Sequence, residues 1–219
     1  MNASRLTAIT AVVLALVAVG VFFYIRSRPS PAPVFTGEFD LEGQPVIGDP
    51  DAPITMIAFE DFKCPACRNF EEGVFPLIEN DYIRSGQVKF HFINYPIPLG
   101  QDSFTAAVAA ECAFAQSEDA FWDYKTILYR SQESEGRAWA TPSKLEDLAQ
   151  TYVPELDSSE LRACIDEERY LDEVNADKEM GVVAGVQGTP TLFVNGQRLV
   201  DYLPQTVQAA IEGALAESE

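Results

Sequence analysis

Cys64 and Cys67 stand two residues apart in the run Phe59-Glu60-Asp61-Phe62-Lys63-Cys64-Pro65-Ala66-Cys67-Arg68. Two thiols at that spacing can close a short disulfide, contribute to a metal site, or exchange disulfides with another molecule. The setting discriminates among these. An apolar, β-branched run, Ile54 to Phe59, precedes the pair and reads as a strand. A stretch of helical periodicity, Cys64 to about Ile83, follows it, with Pro76 as a point where it can kink. The start of a helix carries unpaired backbone N–H groups and a partial positive charge. A thiolate placed there is stabilised, its pKa falls, and at neutral pH it becomes both a nucleophile and a good leaving group. Cys67, one turn on, can close a disulfide with Cys64, and C-x-x-C beside a β–α–β pattern is a redox signature.

The competing readings are weaker. A closed zinc site takes four ligands, whereas Cys112 and Cys164 are isolated and His91 is the single histidine. No metal and no organic cofactor is expected. A purely structural bridge across so small a loop constrains the unfolded chain little. His91 lies in the alternating run Gln87 to Tyr95 and reads as a packed strand residue.

Of 219 residues, 47% are hydrophobic and 22% charged, the composition of a globular chain. The net charge is -19. The first 28 residues hold Arg5, Arg26 and Arg28 and no acid, so all 34 acidic residues and the other 12 basic ones lie beyond them. So acidic a body repels nucleic acid. Leu6 to Ile25 is uncharged over 20 residues, about 30 Å of helix and enough to span a hydrocarbon core. It ends in Phe22-Phe23-Tyr24 followed by Arg26 and Arg28, which reads as an uncleaved anchor with an interfacial aromatic belt rather than a signal peptide. Its flanking charges do not decide orientation. Stable disulfide chemistry belongs outside the cytoplasm, which places the C-terminal body there. The expected organisation is an anchor over 1–28, a linker and approach segment over 29–48, and a catalytic domain over 49–219 with a helical insertion at about 100–184. The linker opens with the stiff Pro29-Ser30-Pro31-Ala32-Pro33 and has a short edge strand near Pro45 to Ile47.

Within the domain, strands are expected at Ile54 to Glu60 and Gln87 to Tyr95, parallel because a helix joins them. Helices are expected at Phe104 to Gln116, Ala120 to Tyr129, and Pro142 to Tyr152 behind a Thr141 cap. A further helix is capped by Ser158 or Ser159, and another runs from about Tyr170 to Ala184. Phe121, Trp122 and Tyr124 read as helical core. Asn195-Gly196 marks a two-residue hairpin between Thr191 to Val194 and Arg198 to Val200, and Leu203 to Leu215 closes the chain.

This order resembles the DsbA-like branch of the thioredoxin superfamily over about residues 40–217. The marks are Asp61-Phe62-Lys63-Cys64-Pro65-Ala66-Cys67, Phe121-Trp122-Asp123-Tyr124, and Gly185 through Gly196 with its Gly188-Thr189-Pro190. The resemblance implies an α/β, thioredoxin-like fold with an inserted helical block, here preceded by one N-terminal transmembrane helix. It implies Cys64 as the exposed nucleophile and Cys67 as the buried resolving thiol. It implies a cis Pro190 facing them, after a Thr189 whose backbone can pair with an extended substrate. With the anchor, the expected protein is single-pass in the cell membrane and acts outside the cytoplasm on unfolded or reduced exported proteins, and the resemblance implies a membrane quinone-linked thiol oxidase that reoxidises it. The single-domain pattern suggests a monomer. The same chemistry run backwards, as a reductase or isomerase, stays open, as does a non-catalytic tethered chaperone.

Two departures matter. Many relatives carry a buried acid six residues before the nucleophile, where this chain has Ala58. Glu60 and Asp61 are nearer, one of them pointing away by strand alternation, so Glu60 or water is the expected proton acceptor. Strongly oxidising relatives have histidine between the cysteines. This chain has Pro65-Ala66, which implies a weaker oxidant than the strongest members at about -120 mV. Cys112 and Cys164, left over outside the cytoplasm, are expected to form a structural disulfide, as some relatives do in this region.

Overall fold

A computed structural model of the chain describes Phe35 and residues 37–218, together with Leu16, Val17, Val19 and Gly20 of the N-terminal unit. Those four apart, the expected span Leu6 to Ile25 lies outside the described residues. Among the described residues, no helix is long and apolar enough to cross a membrane.

Five strands form one sheet: β1 (Val46–Ile47), β2 (Ile54–Glu60), β3 (Val88–Asn94), β4 (Thr191–Val194) and β5 (Gln197–Arg198), in the order β1-β3-β2-β4-β5. β2 and β3 run parallel, from Ile54 opposite Val88 to Glu60 opposite Asn94. β4 runs antiparallel to β2, with Phe59 opposite Thr191. β2 is therefore central and covered on both faces, which is why it reads as almost continuously apolar. Met56 and Ala58 join one core, and Ile57 and Phe59 join the other. Asn195 and Gly196 take φ of 45° and 79°, the two positive values that a tight hairpin matching the strand twist demands. The last strand stops at Arg198 rather than Val200. Leu199 still donates its N–H to Leu192, but Val200 is 82% exposed and the chain has left the sheet.

The helix after β2 is not continuous to Ile83. It breaks into α1 (Pro65–Gly73), α2 (Phe75–Ile78) and a π-helical turn, Glu79–Ile83. Pro76 cannot donate to the carbonyl four residues back, and its ring crowds that turn. The helix therefore ends at Gly73 and restarts with Pro76 in its first turn. The insertion comprises α3 (Gln101–Gln116), α4 (Glu118–Arg130), α5 (Pro142–Tyr152), α6 (Ser158–Asp166) and α7 (Leu171–Val183), and α8 (Pro204–Ser218) ends the chain. Thr141 caps α5 by accepting from Lys144 N–H. The cap of α6 is Asp157, not Ser158 or Ser159: its carboxylate accepts from the N–H groups of Ser159 and Glu160, both at 3.0 Å. An anion in that place also meets the positive end of the helix.

A disulfide joins Cys112 in α3 to Cys164 in α6, with Cα atoms 6.0 Å apart. The second face of the sheet is covered by Met180 and Ala184 of the α7 region and by three residues of the approach segment, Phe35, Phe39 and Leu41. The Phe39 ring lies 5.0 Å from that of Phe193, edge to face. Part of the approach segment therefore packs against the core. Gly181 lets α7 come close, since a Cβ there would sit 2.5 Å from the Tyr95 ring. Replacing Cys112 and Cys164 together by alanine should destabilise the fold by about 4 kcal/mol and lower the thermal midpoint by roughly 10 °C, because the bridged positions are 52 apart in sequence. Calorimetry of the double variant checks this, and an unchanged midpoint would show that the bridge does not constrain the unfolded chain.

Candidate active site

Cys64 is the residue immediately before α1, in extended backbone, with Pro65 in the first turn. The proline lacks only an N–H that would have no helical partner, and its fixed φ suits the turn. The Cys64 sulfur lies 3.2 Å from the Thr189 carbonyl oxygen, to which the thiol donates. Its pKa is lowered from an ordinary 9.0 to about 6. The largest cause is a hydrogen bond from the Cys67 thiol, followed, against the cost of burial, by the Thr189 side chain and the N–H groups of Cys67 and Ala66. Cys64 keeps 6% of its surface, so the expected exposed nucleophile is largely shielded.

Cys67 has no accessible surface. Its sulfur accepts the Asp61 N–H at 3.5 Å. Burial raises its pKa well above the ordinary value, and the hydrogen bond to Cys64 and the charge of Glu60 raise it further. The two cysteines are free thiols in this structure. They are held so that one ionises readily and the other keeps its proton. Such a pair can open toward a substrate at the first sulfur while the second stays protected.

Thr189–Pro190 is a cis peptide bond. Residues 187–192 and 198–201 line a shallow groove at this loop. The sequence places Thr189 125 positions from Cys64, and the sheet brings them together because β4 pairs with β2.

Three side chains that the sequence reading missed fix the turn carrying Cys64. Lys63 is 2% exposed and donates to the Leu99 carbonyl at 2.8 Å and to Asp102 Oδ1 at 2.7 Å. Asp102 Oδ2 accepts in turn from the Trp139 N–H at 2.9 Å. Gln132, just beyond α4, donates its amide to the carbonyls of Phe62 at 2.8 Å and Cys64 at 3.1 Å. Nothing in local spacing announces these partners, which come from the insertion.

Glu60 and Asp61 are both buried, at 1% and 2%. Both faces of the sheet are covered, so both acids are buried although their side chains have different partners. Asp61 accepts from Lys63 N–H at 2.7 Å, Ile97 N–H at 2.7 Å and the Ser103 hydroxyl at 2.5 Å; its role is to pin loops. Glu60 faces Tyr129, which donates its hydroxyl at 3.1 Å. Burial raises the Glu60 carboxyl well above its ordinary value, and the charge of Glu71 adds to this. Glu71 itself pairs with Lys125 at 2.5 Å, both buried. Glu71 sits four residues after Cys67 on α1, so its shared helix face was readable. Lys125 and Tyr129, on α4, were not. His91 is buried on β3 opposite Val46, and its pKa is lowered to about 4, by burial and then by Lys89, which keeps it neutral.

A family model described as thioredoxin matches residues 40–213. The disulfide bond formation protein D of Bacillus subtilis strain 168 is 34% identical over 183 residues, which cover 81% of this chain and 82% of the relative. The crystal structure of oxidised BdbD from Bacillus subtilis matches with a TM-score of 0.79 at 33% identity, covering 84% of this chain and 100% of that one. The structure of Chlamydia trachomatis DsbA matches with a TM-score of 0.73 at 25% identity over 86% and 98%. The chain therefore belongs to the DsbA-like thiol–disulfide oxidoreductases of the thioredoxin superfamily.

Proposed function

We propose that this oxidoreductase introduces disulfides into exported proteins, outside the cytoplasm and tethered to the membrane, by exchange through Cys64 and Cys67. The observation that carries the reading is the division of the pair. Cys64 has a pKa of about 6 and stands beside Thr189, while Cys67 is wholly buried. In the oxidised enzyme a substrate thiolate attacks Cys64, the cysteine of the pair that keeps accessible surface. A mixed disulfide forms and Cys67 leaves. A second substrate thiolate then attacks the substrate sulfur, and Cys64 departs easily because its thiolate is stable at neutral pH. Two electrons pass from substrate to the Cys64–Cys67 pair. The Thr189 backbone and Pro190 border the sulfur, where an extended substrate segment can lie. Glu60 is the carboxyl in electrostatic reach of Cys67 and serves as the proton relay.

The uncharged run Leu6 to Ile25 is the tether. Unfolded or reduced exported proteins are the substrates, and a membrane quinone-linked thiol oxidase restores the disulfide. Net direction depends on potential. A Cys64 pKa of about 6 lies between thioredoxin, about 7, and the strongly oxidising DsbA, about 3.5. The reduced pair is thus stabilised to an intermediate degree.

Alkylation of Cys64 should speed up as the thiol ionises and level off above about pH 6, whereas an ordinary thiol would keep accelerating past pH 8. A midpoint near that ordinary value would remove the activated nucleophile. Redox equilibration should give a potential between about -270 and -120 mV; a value at or above the upper limit would contradict the weaker-oxidant reading. Cys64→Ser should lose both oxidative refolding of a reduced substrate and insulin reduction. A variant still active in both would refute the assignment.

A further inference from the structure

Arg198 stands in β5, directly opposite Phe193 of β4. Opposite residues of an antiparallel pair share a face of the sheet. Arg198 therefore lies on the face where Phe193, Ala184 and Val186 pack, and its guanidinium reaches the chain just beyond α7. There Nη1 donates to the Gly185 carbonyl at 3.0 Å. Gly185 stops the helix with a φ of 75°. Its N–H donates to the Val182 carbonyl at 3.1 Å, and the Val186 N–H donates to the Gly181 carbonyl at 2.8 Å. This is the paired closure of a helix that ends at a left-handed glycine. It leaves the Gly185 carbonyl to a donor from elsewhere, which Arg198 supplies.

Gly185 begins the segment that ends at Thr189 and Pro190, and the carbonyls of this segment are gripped from several sides. Arg198 holds Gly185, the Tyr95 hydroxyl holds Val186 at 3.0 Å, the Thr191 hydroxyl holds Gly188 at 2.7 Å, and the Cys64 thiol meets Thr189 at 3.2 Å. Among the described residues, the N–H groups of residues 187–189 donate to no backbone partner. The segment is thus placed by what grips its carbonyls. Arg198 is the cationic donor among these, and a hydrogen bond from a charged group is about twice as strong as a neutral one. Arg198 also borders the groove at residues 187–192 and 198–201. Asp201 borders the same groove, but its Oδ1 accepts the Leu203 N–H at 3.0 Å.

We propose that Arg198 is a positioning residue of the exchange reaction: by holding the Gly185 carbonyl it sets where Thr189 and Pro190 lie beside Cys64, and so seats an extended peptide substrate. The proposal rests on the exchange reading above and adds the residue that aligns its substrate. Arg198 acts through the segment and not on the sulfurs. The consequence falls on substrates long enough to lie along residues 187–192. A small dithiol meets Cys64 without using that seat.

The test compares the full chain with Arg198→Met and Arg198→Lys in the oxidation of two dithiols, an unstructured peptide with two cysteines and dithiothreitol, while oxidised glutathione restores the enzyme disulfide. Arg198→Met keeps an apolar stem and removes the donors. It should raise KM for the peptide about 10-fold, the effect of one hydrogen bond from a charged donor, with a smaller change in kcat. The ratio of peptide to dithiothreitol efficiency should fall by a similar factor. Arg198→Lys still offers a charged donor to the Gly185 carbonyl and should recover most of that ratio. If Arg198 merely caps α7, Arg198→Met lowers the melting temperature and leaves the ratio at its wild-type value, which overturns the proposal. A lysine variant as impaired as the methionine one also overturns it. In nitrogen NMR spectra of the wild type, the Arg198 guanidinium should show hindered rotation. Free rotation overturns the proposal whether or not the variants fold. Equal losses with both dithiols, beside an inactive Cys64→Ser, sink the seating role and leave the exchange reading standing. A wild type that oxidises neither dithiol sinks that reading and the proposal with it.

Discussion

The hydrogen bond from the buried Cys67 thiol to the Cys64 sulfur is the contact on which the site depends. It is the largest reason that Cys64 ionises at about pH 6, and it holds the proton of Cys67 in place. Burial enforces the same asymmetry, because desolvation penalises a charged Cys67 far more than a charged Cys64. A helix start alone would lower both thiols. The division of labour comes from placing one sulfur at the rim of the core and the other inside it.

Keeping Cys64 at that rim takes polar contacts from three directions. Asp61 ties the turn to the segment after β3 and to α3. Lys63 reaches Asp102 and, through it, the backbone at Trp139. Gln132 holds the carbonyls of Phe62 and Cys64. Buried ion pairs such as Lys63–Asp102 add little net stability relative to apolar replacements, since desolvation offsets attraction. What they supply is a fixed geometry, because moving either partner strands a charge.

The inserted helices are therefore part of the active site and not only a cover for it. α4 contributes Lys125 and Tyr129 beneath α1, and the segment after it contributes Gln132 above. The disulfide between α3 and α6 anchors the insertion to itself, so that these side chains arrive on a rigid support. The acidic surface plays no part in this arrangement; the charges that shape the sulfur chemistry are buried ones.

Local patterns determined much of the fold. The strand at Ile54–Glu60, the helix Pro142–Tyr152 with its Thr141 cap, the strand Thr191–Val194 and the Asn195-Gly196 turn follow from periodicity, capping and backbone preference, each expressed within a few residues. The reactive thiol at a strand-to-helix junction is legible for the same reason. The break at Pro76 was half legible, as a kink whose severity depends on what α2 packs against. The Asp157 cap was misread because three adjacent residues could each serve. Only the tertiary structure decided the rest. Glu60 meets Tyr129 across 69 residues, Glu71 meets Lys125 across 54, and Gln132 meets Phe62 across 70. A buried carboxyl takes its charge state from neighbours that the folded chain brings to it, and no spacing along the sequence encodes them.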